Sequence, residues 1–199
     1  MADLTFYYGA MGCSKTANAL MTRFQHKERG RNVWLIKPNT DTRDDIRLEG
    51  NTMRRLVRSR VGIEAWTDII HLEDKIIPPE NTDIIICDEA QFFTPSQIED
   101  LKNISETLNI PVICYGLRTD FQSNLFLGSK RLFELASKIV ELDTVCECGN
   151  KAIISARLVD GLVVTEGNIV DIGGDEKYKA MCYSCWEKYK LKDGLNLGS

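Results

Sequence analysis

Apolar runs of strand length alternate with helical patterns along the first part of the chain. Four such runs stand out because almost every position in them is apolar: LTFYYG (residues 4–9), NVWLIKP (32–38), DIIICDE (83–89, acidic only at its ends) and PVICYG (111–116). Continuous rather than alternating apolar strands are typical of parallel sheets that are buried on both faces.

Helical periodicity appears between these runs. One predicted helix covers residues 15–29 and ends at Gly30; its apolar positions are Ala17, Leu20, Met21 and Phe24. A second covers residues 95–108, with Ile98, Leu101, Ile104 and Leu108 on one face. Strands and helices in alternation predict an α/β fold with a parallel sheet covered on both sides.

The pattern changes after Leu142. Two cysteine pairs there enclose a stretch rich in Gly, Val and Ile, which favours short antiparallel strands. We therefore predict an α/β domain over residues 1–142, a small C-terminal domain over 143–192 and a flexible tail over 193–199. The charged stretch 41–71 gives no clear assignment.

Composition excludes several classes of protein. The chain has 199 residues, 43% hydrophobic and 27% charged, enough for one main core and a small second unit. Its net charge of −4 argues against nucleic acid as a partner, because a binder needs surplus Lys and Arg to neutralise phosphates. No apolar run is long enough to span a membrane, and the first residues lack the pattern of a secretory signal. We expect a cytoplasmic protein without a membrane or nucleic-acid partner.

A phosphate-binding loop is predicted between the first strand and the first helix. It consists of Gly9, Ala10, Met11, Gly12, Cys13, Ser14, Lys15 and Thr16. Backbone N–H groups at such a turn cradle phosphates, the lysine reaches the outer phosphates, and the hydroxyl of the threonine binds Mg²⁺. Ser14 replaces the usual glycine, and its Cβ fits only if the local dihedral angles are helical and the phosphate leaves space. The alternative is an ordinary glycine-rich turn.

Two acidic residues end the strand at 83–89. Asp88 is predicted to hold Mg²⁺ through water, and Glu89 to accept a proton from an attacking hydroxyl. The alternative is a solvated acidic pair at a strand end.

The cysteine pairs predict a metal site. Cys146, Cys148, Cys182 and Cys185 have the spacing of a structural zinc site with four thiolates, which leaves no position open for catalysis. Neither histidine, His26 nor His71, lies where a ligand is expected. The alternative is a set of buried free thiols.

Several motifs in order resemble the thymidine kinase family, of the tetrameric, zinc-bearing type. They are the phosphate loop, KPNTDTR (37–43), DEAQFF (88–93), YGLRTDFQ (115–122), IGGDEKY (172–178) and the cysteine pairs, together spanning residues 4–190. The resemblance implies a RecA-like phosphate-loop fold and transfer of the γ-phosphoryl of ATP to the 5′-hydroxyl of deoxythymidine, with Mg²⁺ and structural Zn²⁺. It also implies pyrimidine salvage for DNA synthesis, a homotetramer and feedback inhibition by dTTP.

Site residues follow from the resemblance position by position. Glu89 matches the general base. Positions beside the nucleotide are the phosphate loop, Asp41, Arg43, Asp88 and Gln91. Positions around the nucleoside are Met11, Phe92, Leu117, Phe121, Phe126 and Tyr178, with Ile169, Val170, Asp171, Ile172 and Gly173 as the loop whose backbone recognises thymine. Phe93 is expected to belong to the core. The departures are Ser14 and the short C-x-C spacing.

Alternatives remain at two levels. The loop and the acidic pair also suit an ATPase or a kinase with another small acceptor, and a nucleotide-gated zinc module that binds nucleic acid is a second rival. Cys13 lies at a helix start beside Lys15, so it is either a reactive thiolate or a small inward-pointing residue that is inert.

Overall fold

The computed structural model describes residues 2–39, 46–49, 52–167 and 177–194. Eight strands form the main sheet: β1 (Leu4–Gly9), β2 (Val33–Pro38), β3 (Ile46–Glu49), β4 (Thr52–Arg58), β5 (Glu64–Ile70), β6 (Ile84–Cys87), β7 (Val112–Leu117) and β8 (Lys138–Glu141). Their order is β3-β4-β5-β2-β6-β7-β1-β8. In this spatial order, every neighbouring pair from β5 through β2, β6, β7 and β1 to β8 is parallel. β3 and β4 add an antiparallel edge next to β5. The predicted α/β fold with a parallel central sheet is confirmed.

Helices cover the two faces of this sheet. They are α1 (Lys15–Glu28), α2 (Pro95–Thr107) and α3 (Leu127–Leu135). Apolar side chains of α1 pack with Leu35, Ile84 and Ile86 on one face, while α2 and α3 pack over Ile85 and Cys87 on the other. Because the strands are buried on both sides, neighbouring residues of one strand enter different cores, which accounts for their continuous apolar sequence.

Helix α2 begins at the predicted residue, ends one residue earlier than predicted, and buries most of the predicted face. Thr94 caps it: its hydroxyl accepts from the Gln97 backbone N–H, and the Gln97 side chain accepts from the Thr94 N–H. Ile98, Leu101 and Ile104 are buried. Leu108 is 55% exposed, so its predicted place on the buried face is wrong, because the helix has ended before it.

Helix α1 turns a different face to the sheet than its apolar spacing suggested. Ala19 and Leu20 are buried, but Met21 and Phe24 are 44% and 55% exposed. Helical spacing identifies neighbours on a helix surface and does not say which stripe faces the sheet. The structure also assigns β3, β4 and β5 to the ambiguous stretch 41–71, and it adds α3 and β8, which were not predicted.

The C-terminal part contains the expected short antiparallel strands. β9 (Ile154–Val159) pairs with β10 (Leu162–Val164) and with β11 (Tyr178–Met181), and α4 (Tyr183–Gly194) follows. A small apolar cluster that includes Ile154, Val163, Met181 and Trp186 fills it. Among the described residues, no helix has the length and apolar character needed to cross a membrane.

Candidate active site and metal centre

The parallel sheet brings the phosphate loop and the acidic pair to one edge. β1 ends at Gly9 and β6 ends at Cys87, with β7 between them. Carboxyl ends of parallel strands share an edge of the sheet, which is where α/β proteins bind ligands. The two motifs that the sequence singled out therefore meet in space.

Lys15 lies folded over the phosphate loop. Its side chain is buried, and its Nζ donates to the Ala10 carbonyl at 3.0 Å and to the Cys13 Sγ at 3.3 Å. Thr16, in the first turn of α1, directs its hydroxyl at Asp88, with 3.4 Å between Thr16 Oγ1 and Asp88 Oδ1. An ammonium, a hydroxyl and a carboxylate thus converge where phosphates and Mg²⁺ would be held.

Ser14 has a left-handed backbone, with φ 61° and ψ 28°. Right-handed helical angles, the condition on which a side chain was expected to fit here, are therefore not met. Left-handed angles bring Cβ close to a carbonyl oxygen, which is why glycine is the usual residue at such positions. The departure from the pattern is a strained position that the surrounding loop maintains.

Gly9 and Cys13 are packed against each other. A Cβ on Gly9 would lie 2.5 Å from both the Cys13 Sγ and the Leu142 carbonyl oxygen, so only glycine fits. Cys13 is 6% exposed. Its inward position supports the inert alternative, because alkylating agents need access to the sulfur.

Asp88 is a buried carboxyl group in a charged environment. Burial raises its pKa to about 7 and the Glu89 carboxylate adds to the rise, whereas the Lys37 ammonium and the Thr16 hydroxyl oppose it. Lys37 is itself 2% exposed. The sequence analysis gave Lys37 no role; a lysine at the end of an otherwise apolar strand was the available signal.

Glu89 follows in a left-handed conformation with φ 51°. The Gln91 amide holds it: Nε2 donates to Glu89 Oε2 at 2.5 Å, while Oε1 accepts from the Leu117 backbone N–H at 2.9 Å. Strained backbone maintained by its surroundings is common at functional sites. Gln91, expected beside the nucleotide, here positions the carboxylate of the predicted base.

Aromatic side chains lie close to this edge. Phe92 and Phe126 meet edge to face, with ring centroids 5.4 Å apart. Phe121 is 2% exposed, with the Arg157 guanidinium 5.6 Å from its ring centroid. Leu117 is buried, and Met11 and Tyr178 are half-buried. Phe93, at 1% exposure, belongs to the core as expected.

Two hydrogen bonds join the loops of this edge to the C-terminal strands. The Met11 backbone N–H donates to Ser155 Oγ at 2.9 Å, and Gln122 Nε2 donates to the Thr165 carbonyl at 2.8 Å. Ser155 was missed because only the fold reveals that it contacts a loop so distant in sequence. The predicted residues Asp41, Arg43, Ile169, Val170, Asp171, Ile172 and Gly173 lie outside the described residues.

The four predicted metal ligands come together. The Sγ atoms of Cys146, Cys148, Cys182 and Cys185 all lie within 4.8 Å of one another. Thiolates around one zinc ion, with Zn–S bonds of about 2.3 Å, lie about 3.8 Å apart, so this set fits the ion. A tight turn supports the C-x-C pair: the Cys146 N–H donates to the Asn150 carbonyl, and the Gly149 N–H donates to the Cys146 carbonyl. The Asn150 backbone N–H and, to a smaller extent, hydrogen bonds with the neighbouring thiols lower the pKa of Cys148 to about 7.

Comparisons with known proteins identify the family to which this chain is similar. The family model described as thymidine kinase matches residues 2–186. A thymidine kinase of Enterobacteria phage T4 is 42% identical over 202 residues, covering 98% of this chain and 100% of the relative. A thymidine kinase of Blochmanniella pennsylvanica is 37% identical over 190 residues (92% of this chain, 89% of the relative), and one of Shewanella oneidensis is 38% identical over 190 residues (92% and 95%).

Proposed function

The chain belongs to the thymidine kinase family, and on that basis we propose that it transfers the γ-phosphoryl group of ATP to the 5′-hydroxyl of thymidine with Glu89 as general base. The observation that carries this proposal is the arrangement at the sheet edge. Glu89 is held by Gln91, its neighbour Asp88 faces Thr16, and Lys15 covers the loop. This arrangement supports the proposal because phosphoryl transfer to a hydroxyl requires a base, a cation and a metal-binding pair, the roles proposed for these residues.

Each residue has a separate task in this proposal. Backbone N–H groups of residues 9–16 and the Lys15 ammonium bind the phosphates of ATP. Glu89 accepts the proton of the 5′-hydroxyl as the oxygen attacks the γ-phosphorus, and Gln91 keeps the carboxylate directed at that oxygen. Thr16 and Asp88 would hold Mg²⁺, which supplies positive charge to the phosphate oxygens. Asp41 and Arg43 are proposed beside the phosphates.

The nucleoside pocket is proposed along the aromatic side of the same edge. Met11, Phe92, Leu117, Phe121, Phe126 and Tyr178 would enclose the base and sugar. Apolar walls suit a flat base and exclude water, which would otherwise accept the phosphoryl group. Ile169, Val170, Asp171, Ile172 and Gly173 are proposed to recognise thymine through their backbone groups.

The C-terminal cysteines are proposed to bind one structural zinc ion. With four protein ligands the ion has no open position, so its effect on the reaction is indirect, through β9, which carries Ser155, and through Thr165, which follows β10. We further propose the division into domains 1–142 and 143–192 with a tail over 193–199, a RecA-like fold class, a cytoplasmic location, a homotetramer and feedback inhibition by dTTP.

An acceptor screen tests the function directly. The protein is incubated with MgATP and each deoxynucleoside in turn, and nucleoside monophosphate is measured against free phosphate. Thymidine and deoxyuridine should be phosphorylated and purine deoxynucleosides should not, because a thymine-sized slot lacks room for a second ring. Efficient phosphorylation of deoxyadenosine would contradict the proposed pocket, and free phosphate without any monophosphate would indicate an ATPase.

A further inference from the structure

Arg55, in β4, carries a guanidinium group that the surrounding protein satisfies only in part. Its side chain is 3% exposed. Nη2 donates to Asn39 Oδ1 at 2.9 Å, while Nε and Nη1 are buried and have no hydrogen-bond partner among the residues that the structure describes. Most buried donors in proteins are paired, so two unpaired donors on one cation require a specific explanation.

An anion is the partner that meets this requirement. A guanidinium remains charged at every physiological pH, and a buried charge is costly unless an opposite charge accompanies it. Bound water can accept hydrogen bonds but cannot neutralise the charge. Asn39, the partner seen, is neutral.

The position of Arg55 indicates which anion. Arg55 lies opposite Thr67 in the β4–β5 pairing, and Thr67 Oγ1 donates to the Leu35 carbonyl in β2. The guanidinium reaches on to Asn39, just beyond the carboxyl end of β2. β2 is the neighbour of β6, and the ammonium group of Lys37 in β2 opposes the rise that burial causes in the pKa of Asp88, which follows β6. Through Asn39, the guanidinium group therefore lies beside the carboxyl end of β2, on the same edge of the sheet as the phosphate loop.

We propose that Arg55 is a phosphoryl-binding residue whose free donors bind oxygens of the nucleotide's phosphate chain. The proposal rests on the proposed function, which supplies a phosphorylated substrate at this edge. Arginine is suited to this task because its planar donors match phosphate oxygens. Asn39 orients the group, and Asn39 Nδ2 lies in turn 2.9 Å from the His71 Nδ1.

Binding measurements test the proposal without any turnover. Dissociation constants for MgATP and for thymidine are measured by calorimetry for the parent and for Arg55→Met. Arg58→Met is the matched control, since Arg58 lies on the same strand but is 60% exposed and pairs with Glu64. Arg55→Met should weaken MgATP binding by about 10- to 100-fold, the usual effect of losing hydrogen bonds to a charged group. Arg55→Met should leave the dissociation constant for thymidine and the zinc content unchanged. Arg58→Met should bind MgATP as the parent does.

Thermal unfolding separates binding from structure. Removing unpaired buried donors should leave the melting temperature of the free protein equal or higher, while the rise caused by MgATP becomes smaller. Inorganic phosphate is a second probe: if it stabilises the parent but not Arg55→Met while MgATP affinity is unchanged, the anion is free phosphate and the assignment to the nucleotide is wrong.

Two results would overturn the proposal. One is a folded Arg55→Met that binds MgATP and inorganic phosphate as the parent does. If that variant does not fold, Arg55→Gln decides: it removes the cationic donors and keeps a polar side chain beside Asn39, and parent-like MgATP affinity in it refutes the proposal. Thymidine phosphorylation by the parent is measured separately, so failure of the proposed function is distinguishable from failure at Arg55.

Discussion

The sheet edge with Glu89 and the cluster of four cysteines are organised by different forces. At the edge, folding itself fixes the reactive groups: Gln91 joins Glu89 to the β7 backbone, and apolar clusters lie on both faces of the sheet. The C-terminal part has three short strands and one small apolar cluster, to which Cys146 and Cys182 themselves belong. A core of that size would make a bound metal the main source of stability.

The sheet edge and the cysteine cluster also differ in buried charge and in backbone strain. The edge keeps Lys15, Lys37 and Asp88 buried and holds Ser14 and Glu89 in left-handed conformations. In the cysteine cluster, a bound metal would favour deprotonation of the thiols and would neutralise the charge of the resulting thiolates. The buried charges and left-handed residues thus lower stability at the edge, whereas the proposed metal ion would raise the stability of the cysteine cluster.

Loss of zinc should have the largest effect, because it removes one of the two regions. Metal analysis of the parent should give about one zinc per chain. Cys182→Ser should lose the metal and unfold the C-terminal strands before the main sheet, with loss of thymidine phosphorylation. Hydrogen exchange resolved by segment measures the order of unfolding.

A cysteine of the main sheet provides the control for that variant. Cys114 is fully buried in β7, away from the metal ligands in sequence and in fold. Cys114→Ala should therefore keep the zinc. A Cys182→Ser protein that is metal-free, folded and fully active would show that the cluster is not a structural metal site.

Glu89→Gln should break the chemistry of the edge while both regions stay folded. The amide keeps the shape but cannot accept a proton, so kcat should fall by about 10²–10⁴-fold while MgATP still binds. Steady-state kinetics and calorimetry measure the two quantities. Glu106→Gln, a change at an exposed carboxylate that pairs with Lys102 on α2, is the control. Near-full turnover in Glu89→Gln would exclude Glu89 as the base.

Asp88→Asn should lower the activity and raise the free energy of unfolding. Folding raises the pKa of Asp88 from 3.8 to about 7, so between these values the folded protein binds more protons and its stability falls as the pH rises. Above pH 7 the parent carries the full cost of a buried carboxylate, about 4 kcal/mol for a shift of this size. The variant avoids it. In urea unfolding without nucleotide or divalent metal, its advantage should be largest at pH 8 and less than half as large at pH 5.

The matched control for this pH dependence is Asp160→Asn, at an exposed turn of the C-terminal strands. It should show no comparable difference between the two pH values. An advantage of Asp88→Asn that is the same at pH 5 and pH 8 would mean that desolvation of the carboxylate is not the cause.

Local sequence patterns predicted the edge better than the contacts that complete it. β1, β2, β6 and β7 followed from apolar runs, and the phosphate loop and acidic pair from their places at strand ends. The contacts of Arg55 and Ser155 depend on strand register and on the packing of distant segments, which no local pattern contains. The same limit explains α1, where Met21 and Phe24 have helical spacing but face outward.

Ser14→Gly should have the smallest effect, and it measures the strain stored at the edge. The left-handed angles of Ser14 cost about 1–2 kcal/mol for a residue with a Cβ. Glycine relieves this but gives the unfolded chain more freedom, which offsets about 0.5–1 kcal/mol. We expect a net gain of about 0.5–1 kcal/mol in the free energy of unfolding. The backbone bond from the Asn18 N–H to the Ser14 carbonyl is retained, so the KM for ATP should stay within about twofold.

Asp160→Gly also replaces a left-handed residue by glycine, but in the C-terminal strands and not at the sheet edge. Asp160 has φ 51° in the turn between β9 and β10, but an aspartate tolerates left-handed angles better than a serine because its side chain bonds to nearby backbone. Its gain should therefore be smaller than that of Ser14→Gly when both are measured by urea unfolding with zinc present. Equal gains would mean that the strain is an ordinary property of turns in this chain. No gain at Ser14 would mean that the loop's own contacts compensate fully for the left-handed serine, and that the edge stores strain only at Glu89.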